Sequence, residues 1–236
     1  MKQFFIALLL LVSFVGYSQD SHLGLNMGPS FPIGDFSKSD DYKTQGYAQP
    51  GFNLSFAGNY IPTWYFGIGG ALVFGTNFPN QDSMLSGLIN ELREMEALPE
   101  IPEEVDASFT IGNWSYVNVM VGPTFSYPAG KLQFNLKALI GMSIVMPPTQ
   151  TLNLMYDNNT ISGYSDTQNV SFCYDFGTDI ILKLSGSYSL IFGVDYFHSS
   201  TEYDVEIGYN DNQLPAISRK IEINTVHTTV GFAYLL

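Results

Sequence analysis

The residues best equipped for chemistry stand together in Phe197-His198-Ser199-Ser200-Thr201-Glu202. In an extended strand His198, Ser200 and Glu202 share one side, because successive side chains alternate. A hydroxyl becomes a nucleophile when a base lies within hydrogen-bond reach and a third group orients that base. His198 would be the base and Ser200 the nucleophile, with Glu222 on a neighbouring strand as a further possible orienter. The plainer reading is a polar strand end. It is the expectation adopted here, and no catalytic residue is assigned.

A second group is made of charges in unusual places. Lys137, Asp175, Asp179 and Asp195 fall in the small, polar phase of strongly alternating segments, at similar predicted depth. Charges turned into a closed sheet must be paired, since isolated burial is very costly. They are expected to form a structural ion-pair network that fills the interior; a proton or ion path is the sharper alternative. Glu100, Glu103, Glu104 and Asp106 lack the spacing of a calcium loop and read as a solvated face. Gly67-Ile68-Gly69-Gly70 opens no helix, so it is no phosphate loop. The single cysteine, Cys173, allows neither a disulfide framework nor a cysteine metal site. No cofactor and no metal are expected.

The elements that must hold these residues are strands. Phe52, Leu54 and Phe56 alternate with Asn53, Ser55 and Ala57; Leu132, Phe134 and Leu136 alternate with Gln133, Asn135 and Lys137. Leu190, Phe192, Val194 and Tyr196 do the same against Ser189, Gly193 and Asp195. About eight such segments follow one another, each close to the ~9–11 residues with which a tilted strand crosses a bilayer. One face is large and apolar, the other small or polar, which is the pattern of a transmembrane barrel. The connections alternate too. Residues 61–63, 127–130 and 185–187 are tight, whereas about 32–46, 76–108, 147–168 and 199–219 are long, as expected of periplasmic turns and extracellular loops. Within the second long segment a helix is predicted, capped by Asp82 or Ser83 and ended before Pro99, with Met84, Leu85, Leu88, Ile89, Leu92 and Met95 on one stripe. Tyr60, Trp64, Tyr127, Tyr188 and Tyr234 are expected to form one interfacial girdle, and Tyr47, Phe74, Trp114, Phe172 and Tyr196 the other.

Bulk properties agree. Charged residues are 13% of the chain, about half the usual ~25%, while aromatic residues reach 15%. A net charge of −13 argues against nucleic acid, whose phosphates need a basic surface. Lys2, the apolar stretch from Phe4 to Val15 and Gly16-Tyr17-Ser18 read as an export signal cleaved after Ser18. Two parts are therefore expected: a signal peptide, 1–18, and an outer-membrane barrel, 19–236.

The last residues, His227-Thr-Thr-Val-Gly-Phe-Ala-Tyr-Leu-Leu236, alternate to the end. Thr229, Gly231, Tyr234 and Leu236 resemble the C-terminal assembly signal of outer-membrane barrels, which implies recognition by the barrel-assembly machinery. Over residues 19–236 the pattern resembles the small outer-membrane β-barrels, in particular the PorT-like branch and OmpX-like eight-stranded barrels. That resemblance implies a closed antiparallel barrel of about eight strands in a bacterial outer membrane, contacting outer-membrane lipid. It also implies a non-enzymatic accessory role in the envelope or in protein secretion, through extracellular loops and a protein partner. His198-x-Ser200 resembles outer-membrane lipid A deacylases, although Thr201 stands where that family has Asn; this implies a lipid A hydrolase as the alternative. A transporter of small solutes or hydrophobic compounds is the third reading, and the polar interior phase argues against it.

Overall fold

The computed structural model describes residues 21–63, 65–95, 106–156, 159–184, 186–210 and 212–236. The expected signal peptide, Trp64, Pro99 and the acidic residues Glu100, Glu103 and Glu104 lie outside them. Eight strands close into a ring: β1 (His22–Pro32), β2 (Ala48–Thr63), β3 (Phe66–Pro79), β5 (Trp114–Ala129), β6 (Leu132–Met146), β9 (Asn169–Lys183), β10 (Tyr188–Tyr209) and β11 (Asn212–Leu235). Every neighbouring pair is antiparallel, and β11 returns to β1 with Leu235 opposite His22 and Phe232 opposite Leu25. Closure removes the unpaired edges that a hydrocarbon medium would not tolerate.

Alternation decides which side chains face the bilayer. Phe66, Ile68, Val119, Phe172, Tyr188 and Phe232 are among the large apolar residues left exposed on the outside. Ser126, Gln133, Asn135, Asn118, Ser143, Asp175 and Asp195 are buried inside. An apolar belt of this kind is costly in water and favourable in lipid. The chain is thus a closed transmembrane β-barrel.

The short connections come where the sequence places them, at one end of the ring: between β2 and β3, β5 and β6, and β9 and β10. Both ends of the described chain lie there as well, Leu236 N–H donating to the Ser21 carbonyl at 2.9 Å. The opposite end differs from the expected loops. β10 runs on to Tyr209 and β11 starts at Asn212, so most of the supposed loop 199–219 is a hairpin rising out of the ring. β8 (Asn159–Ser165) pairs with the tip of β10, β7 (Gln150–Tyr156) with β8, and β4 (Asp106–Ile111) with β7. The sheet of the ring therefore continues past β10 as a three-stranded extension standing on the barrel rim. Helix α1 (Gln81–Glu94) buries Met84, Leu88 and Leu92 against it. Its N-cap is Asn80, whose side chain accepts from Ser83 N–H, two or three residues before the expected caps. Asn80 comes directly after β3, so the chain turns from strand to helix at once.

Candidate functional site

Three layers fill the axis of the barrel. The lowest, at the short-turn end, is amide and hydroxyl. Gln133 Nε2 donates to Ser126 Oγ at 2.9 Å, and Asn59, Thr124 and Asn135 are buried close by. Above it stands the charge cluster. Lys137 Nζ lies 2.8 Å from Asp195 Oδ1 and 3.2 Å from Asp179 Oδ1. Asp175, one inward position along β9 from Gly177, is buried beside them. All four residues share the inward phase of β6, β9 and β10, so β-pairing places them at one depth: Lys137 is opposite Gly177, and Gly177 is opposite Asp195. A Cβ at Gly177 would strike Asp195 Oδ1 and Lys137 Cε, so a larger residue would displace the ion pair. The glycine opens the space in which the ammonium reaches two carboxylates.

The third layer is aromatic. Tyr116 stacks on Phe197 with ring centroids 5.3 Å apart, and its hydroxyl meets His227 Nε2 at 3.0 Å and Ser30 Oγ at 3.2 Å. Gly75 makes room for the Tyr116 ring. The cavities that remain around the charge cluster are only about 10 and 20 Å³, room for single water molecules and no pore.

Above the rim lies a feature that the sequence does not single out. Arg219 is fully buried and has no carboxylate among its described partners. Its Nε donates to the Tyr42 carbonyl at 2.6 Å, Nη2 to the Gln45 carbonyl at 2.7 Å and Nη1 to the Tyr203 hydroxyl at 2.6 Å. The guanidinium carbon sits 4.1 Å from the Tyr42 ring centre, a cation–π contact. Tyr42 donates in turn to Gln150 Oε1 at 2.6 Å. Burial holds the Tyr42 and Tyr203 phenols above their usual range, the nearby Arg219 charge opposing this only in part. The segment 33–47 is thereby latched across the mouth. Trp114 Nε1 adds a bond to the Gly46 carbonyl at 2.9 Å. Trp114 and Tyr47 were expected in the outer girdle; both are buried in this cap, because Trp114 shares the inward phase of Tyr116 and Tyr47 turns under Arg219. Phe74 and Phe172 remain exposed on the outer wall, as do Tyr127, Tyr188 and Tyr234 at the other end.

His198, Ser200 and Glu202 share the outward face of β10, at the level where the apolar belt stops. His198 Nδ1 bonds to Asn224 Oδ1 at 2.8 Å, its ring stacks on Tyr174 at 4.7 Å, and the Tyr196 hydroxyl donates to the same Asn224 oxygen at 2.7 Å. Glu222 lies opposite Ser200 in the ladder. Among the described contacts none joins His198 to Ser200 or to Glu222. The partner of the imidazole is Asn224, directly across from it, so the three residues are neighbours without being a relay. Among the described residues no group of three or more His, Cys, Asp or Glu is placed to hold a metal ion. At the other end, Thr229 and Gly231 face inward and Tyr234 outward; a Cβ on Gly231 would strike Asn26 and the Leu25 carbonyl, which fixes the closeness of β1 and β11.

No family model matches the chain, and no curated relative was found. Solved structures similar to it include a major outer membrane protein from Thermus thermophilus, 11% identical, covering 92% of this chain and 99% of that one at a TM-score of 0.47. Neisserial surface protein A is 7% identical, covering 92% and 97% at 0.44. The outer membrane protein AlkL, solved in lipid bilayers, is 14% identical, covering 94% and 92% at 0.44. The fold assignment rests on the strand pairing and the apolar belt described above.

Proposed function

We propose that this chain is an integral protein of a bacterial outer membrane that serves as a non-enzymatic envelope or secretion accessory component, meeting its partner through the extracellular cap. The observation that carries this reading is the distribution of structure. Among the described residues the axis is packed and capped, while the chain spends β4, β7, β8, α1 and the tips of β10 and β11 on a folded body outside the ring. A body of that kind presents a surface. Its outer face carries a polar groove of about 610 Å³ along β8 and the hairpin tip, lined by Thr160, Ser162, Tyr164, Glu206, Asn212 and Gln213. Hydroxyls, amides and a carboxylate around an exposed tyrosine suit a polar, uncharged or basic partner surface. The resemblance to PorT-like barrels points the same way.

The test is native electrophoresis of the outer membrane in mild detergent, with mass spectrometry of each band. Wild type is expected in a complex larger than the barrel, and Tyr164→Ala with Glu206→Arg is expected to release it as a lone barrel that still shifts in mobility on heating. Migration of the wild type alone would remove the basis of the reading.

A further inference from the structure

The apolar part of the outer wall carries a recess on β2 and β3. On β2 and β3 the outward phase runs Phe56, Gly58, Tyr60 and Ile68, Gly70, Leu72. Gly58 lies directly opposite Gly70 in the ladder, Leu23 of β1 pairs with Gly58, and Val121 of β5 pairs with Gly70. Two adjacent strands thus lack a side chain at the same depth; the strands carrying Leu23 and Val121 lie three strand spacings apart, about 14 Å, and Leu23 leans over Gly58, so the open part lies over Gly70. The result is an apolar notch of about 610 Å³ in the lipid-facing wall, closed above by Phe56 and Leu72 and below by Tyr60 and Ile68.

The fold requires half of this notch and leaves the other half free: a Cβ on Gly58 would strike Leu23 Cδ2 at 2.6 Å and the His22 carbonyl oxygen at 2.7 Å, whereas Gly70 is under no such constraint. Many glycines of the barrel are forced: a Cβ on Gly28, Gly51, Gly122 or Gly141 would run into a backbone carbonyl oxygen. Gly70 is different. A Cβ there would meet only the Met120 carbonyl oxygen, at 3.5 Å, an ordinary contact, and its φ is not in the left-handed region. A Cβ is accommodated there, so an alanine would fit the wall where glycine stands. The space is left open where an extra side chain would be welcome, since each unfilled surface forfeits dispersion contacts.

We infer that the Gly58–Gly70 notch is a binding site for one acyl chain of a phospholipid in the leaflet on the short-turn side. The depth decides the leaflet: Leu236, Tyr60 and Leu23 border the notch at the short-turn end of the ring. The chemistry of the floor decides the ligand. Its backbone groups are committed to ladder pairing on both sides, from β1 through β5. It offers no hydrogen bond to a peptide, only contact surface, and a flexible hydrocarbon chain conforms to such a surface. The notch is continuous with the lipid-facing belt and too small by itself for a stable protein interface, which needs at least ~1,000 Å² in total. Behind the floor lies the small polar cavity bordered by Asn59, Thr124, Lys137 and Asp179, so the seated chain thickens the wall where it is one backbone deep. The inference rests on the bilayer reading of the barrel and is independent of any partner at the cap.

Native mass spectrometry of the full chain, purified from membranes in mild detergent, tests it. Wild type is expected to retain one phospholipid per barrel. Gly70→Leu is expected to lose it by tenfold or more, while Val194→Leu, on the outward face of β10, keeps it. The heat-induced mobility shift, read on the same samples, reports the barrel itself, so a missing lipid on a shifting barrel counts against the site and not against the fold. Should Gly70→Leu fail to shift, Gly70→Ala replaces it and is expected to weaken retention several-fold. Equal retention in wild type and the Gly70 variant overturns the inference. So does a wild-type dimer that the variant dissociates, which would give the notch to a second copy of the chain.

Discussion

At the scale of single residues, the lumen is held by one cation. Lys137 touches Asp195 and Asp179, and Asp175 lies in the same cluster. Removing one partner of a buried pair costs far more than the pair contributes, because the other charge stays behind; such losses run to about 3–5 kcal/mol. Lys137→Met is therefore expected to lower the denaturant midpoint of the barrel clearly. Lys137→Met combined with Asp179→Asn and Asp195→Asn should recover most of the loss, measured by unfolding in detergent. Ser200 predicts the opposite. It has no described contact with His198, whose imidazole bonds to Asn224. Ser200→Ala is expected to leave both the stability of the barrel and the acylation of host lipid A unchanged, as lipid mass spectrometry would show. The inward phase of the four lumen charges was legible from alternation alone. Arg219 was equally legible in phase, between Ile217 and Ile221, but its partners Tyr42 and Gln45 come from a segment without periodicity, so nothing in the sequence announced the latch.

At the scale of elements, β10 and β11 explain both what alternation reveals and what it hides. From Tyr188 to Tyr196, and from Val226 to Tyr234, the outward face is mostly apolar and the inward face small or polar, except for Ile191, which packs inside against Ile181 and Ala233. From Tyr203 to Ile207, and from Ile217 to Ile223, the faces exchange roles: Val205, Ile207, Ile217, Ile221 and Ile223 are buried, and Asp204, Glu206, Lys220 and Glu222 point out. The strands do not change; the solvent does. In lipid the apolar face turns outward, and above the rim, in water, it turns inward to make the core of the cap. The outward charges made this part look like a loop, although the alternation continued. The latch on this hairpin makes its own predictions. Arg219→Leu leaves the Tyr42 and Gln45 carbonyls without their donor, each worth about 1–3 kcal/mol when buried, and leaves the Tyr203 hydroxyl only the long bond from Gln150 Nε2 at 3.4 Å. It is expected to free the segment 33–47, so that trypsin cuts after Lys38 and Lys43 much faster than in wild type. Burial also holds the Tyr42 and Tyr203 phenols above their ordinary value of 10.0. The folded cap keeps their protons where an unfolded one would lose them. Its stability is then unaffected by these groups below pH 10 and falls as pH rises beyond it. Tyrosine absorbance should show the phenols titrating late, together with opening of the cap.

At the scale of the whole molecule, an eight-stranded ring leaves an interior that side chains can fill, and here three layers fill it. Planar-bilayer recordings are expected to show no open-channel current from wild type. Steady conductance would contradict the packed axis. The eight-strand ring and the end at which the chain turns sharply followed from strand length, alternation and loop parity. The extension of β8, β7 and β4 did not, because it is anchored by β8 pairing with the tip of β10 and by β4 pairing with β7, contacts between distant parts of the chain that no local signal encodes. The same arrangement has a mechanical meaning. β10 and β11 run as single strands from the exposed tip to the opposite rim, antiparallel and paired with each other save for one bulge between Val205 and Ile207 near the tip. A load applied at the tip is not absorbed by a hinge. It runs along two strands into their neighbours β9 and β1, where parting the ladder means shearing a row of hydrogen bonds at once and not peeling them one by one. Whatever grips the cap from outside is thereby moored to the membrane itself.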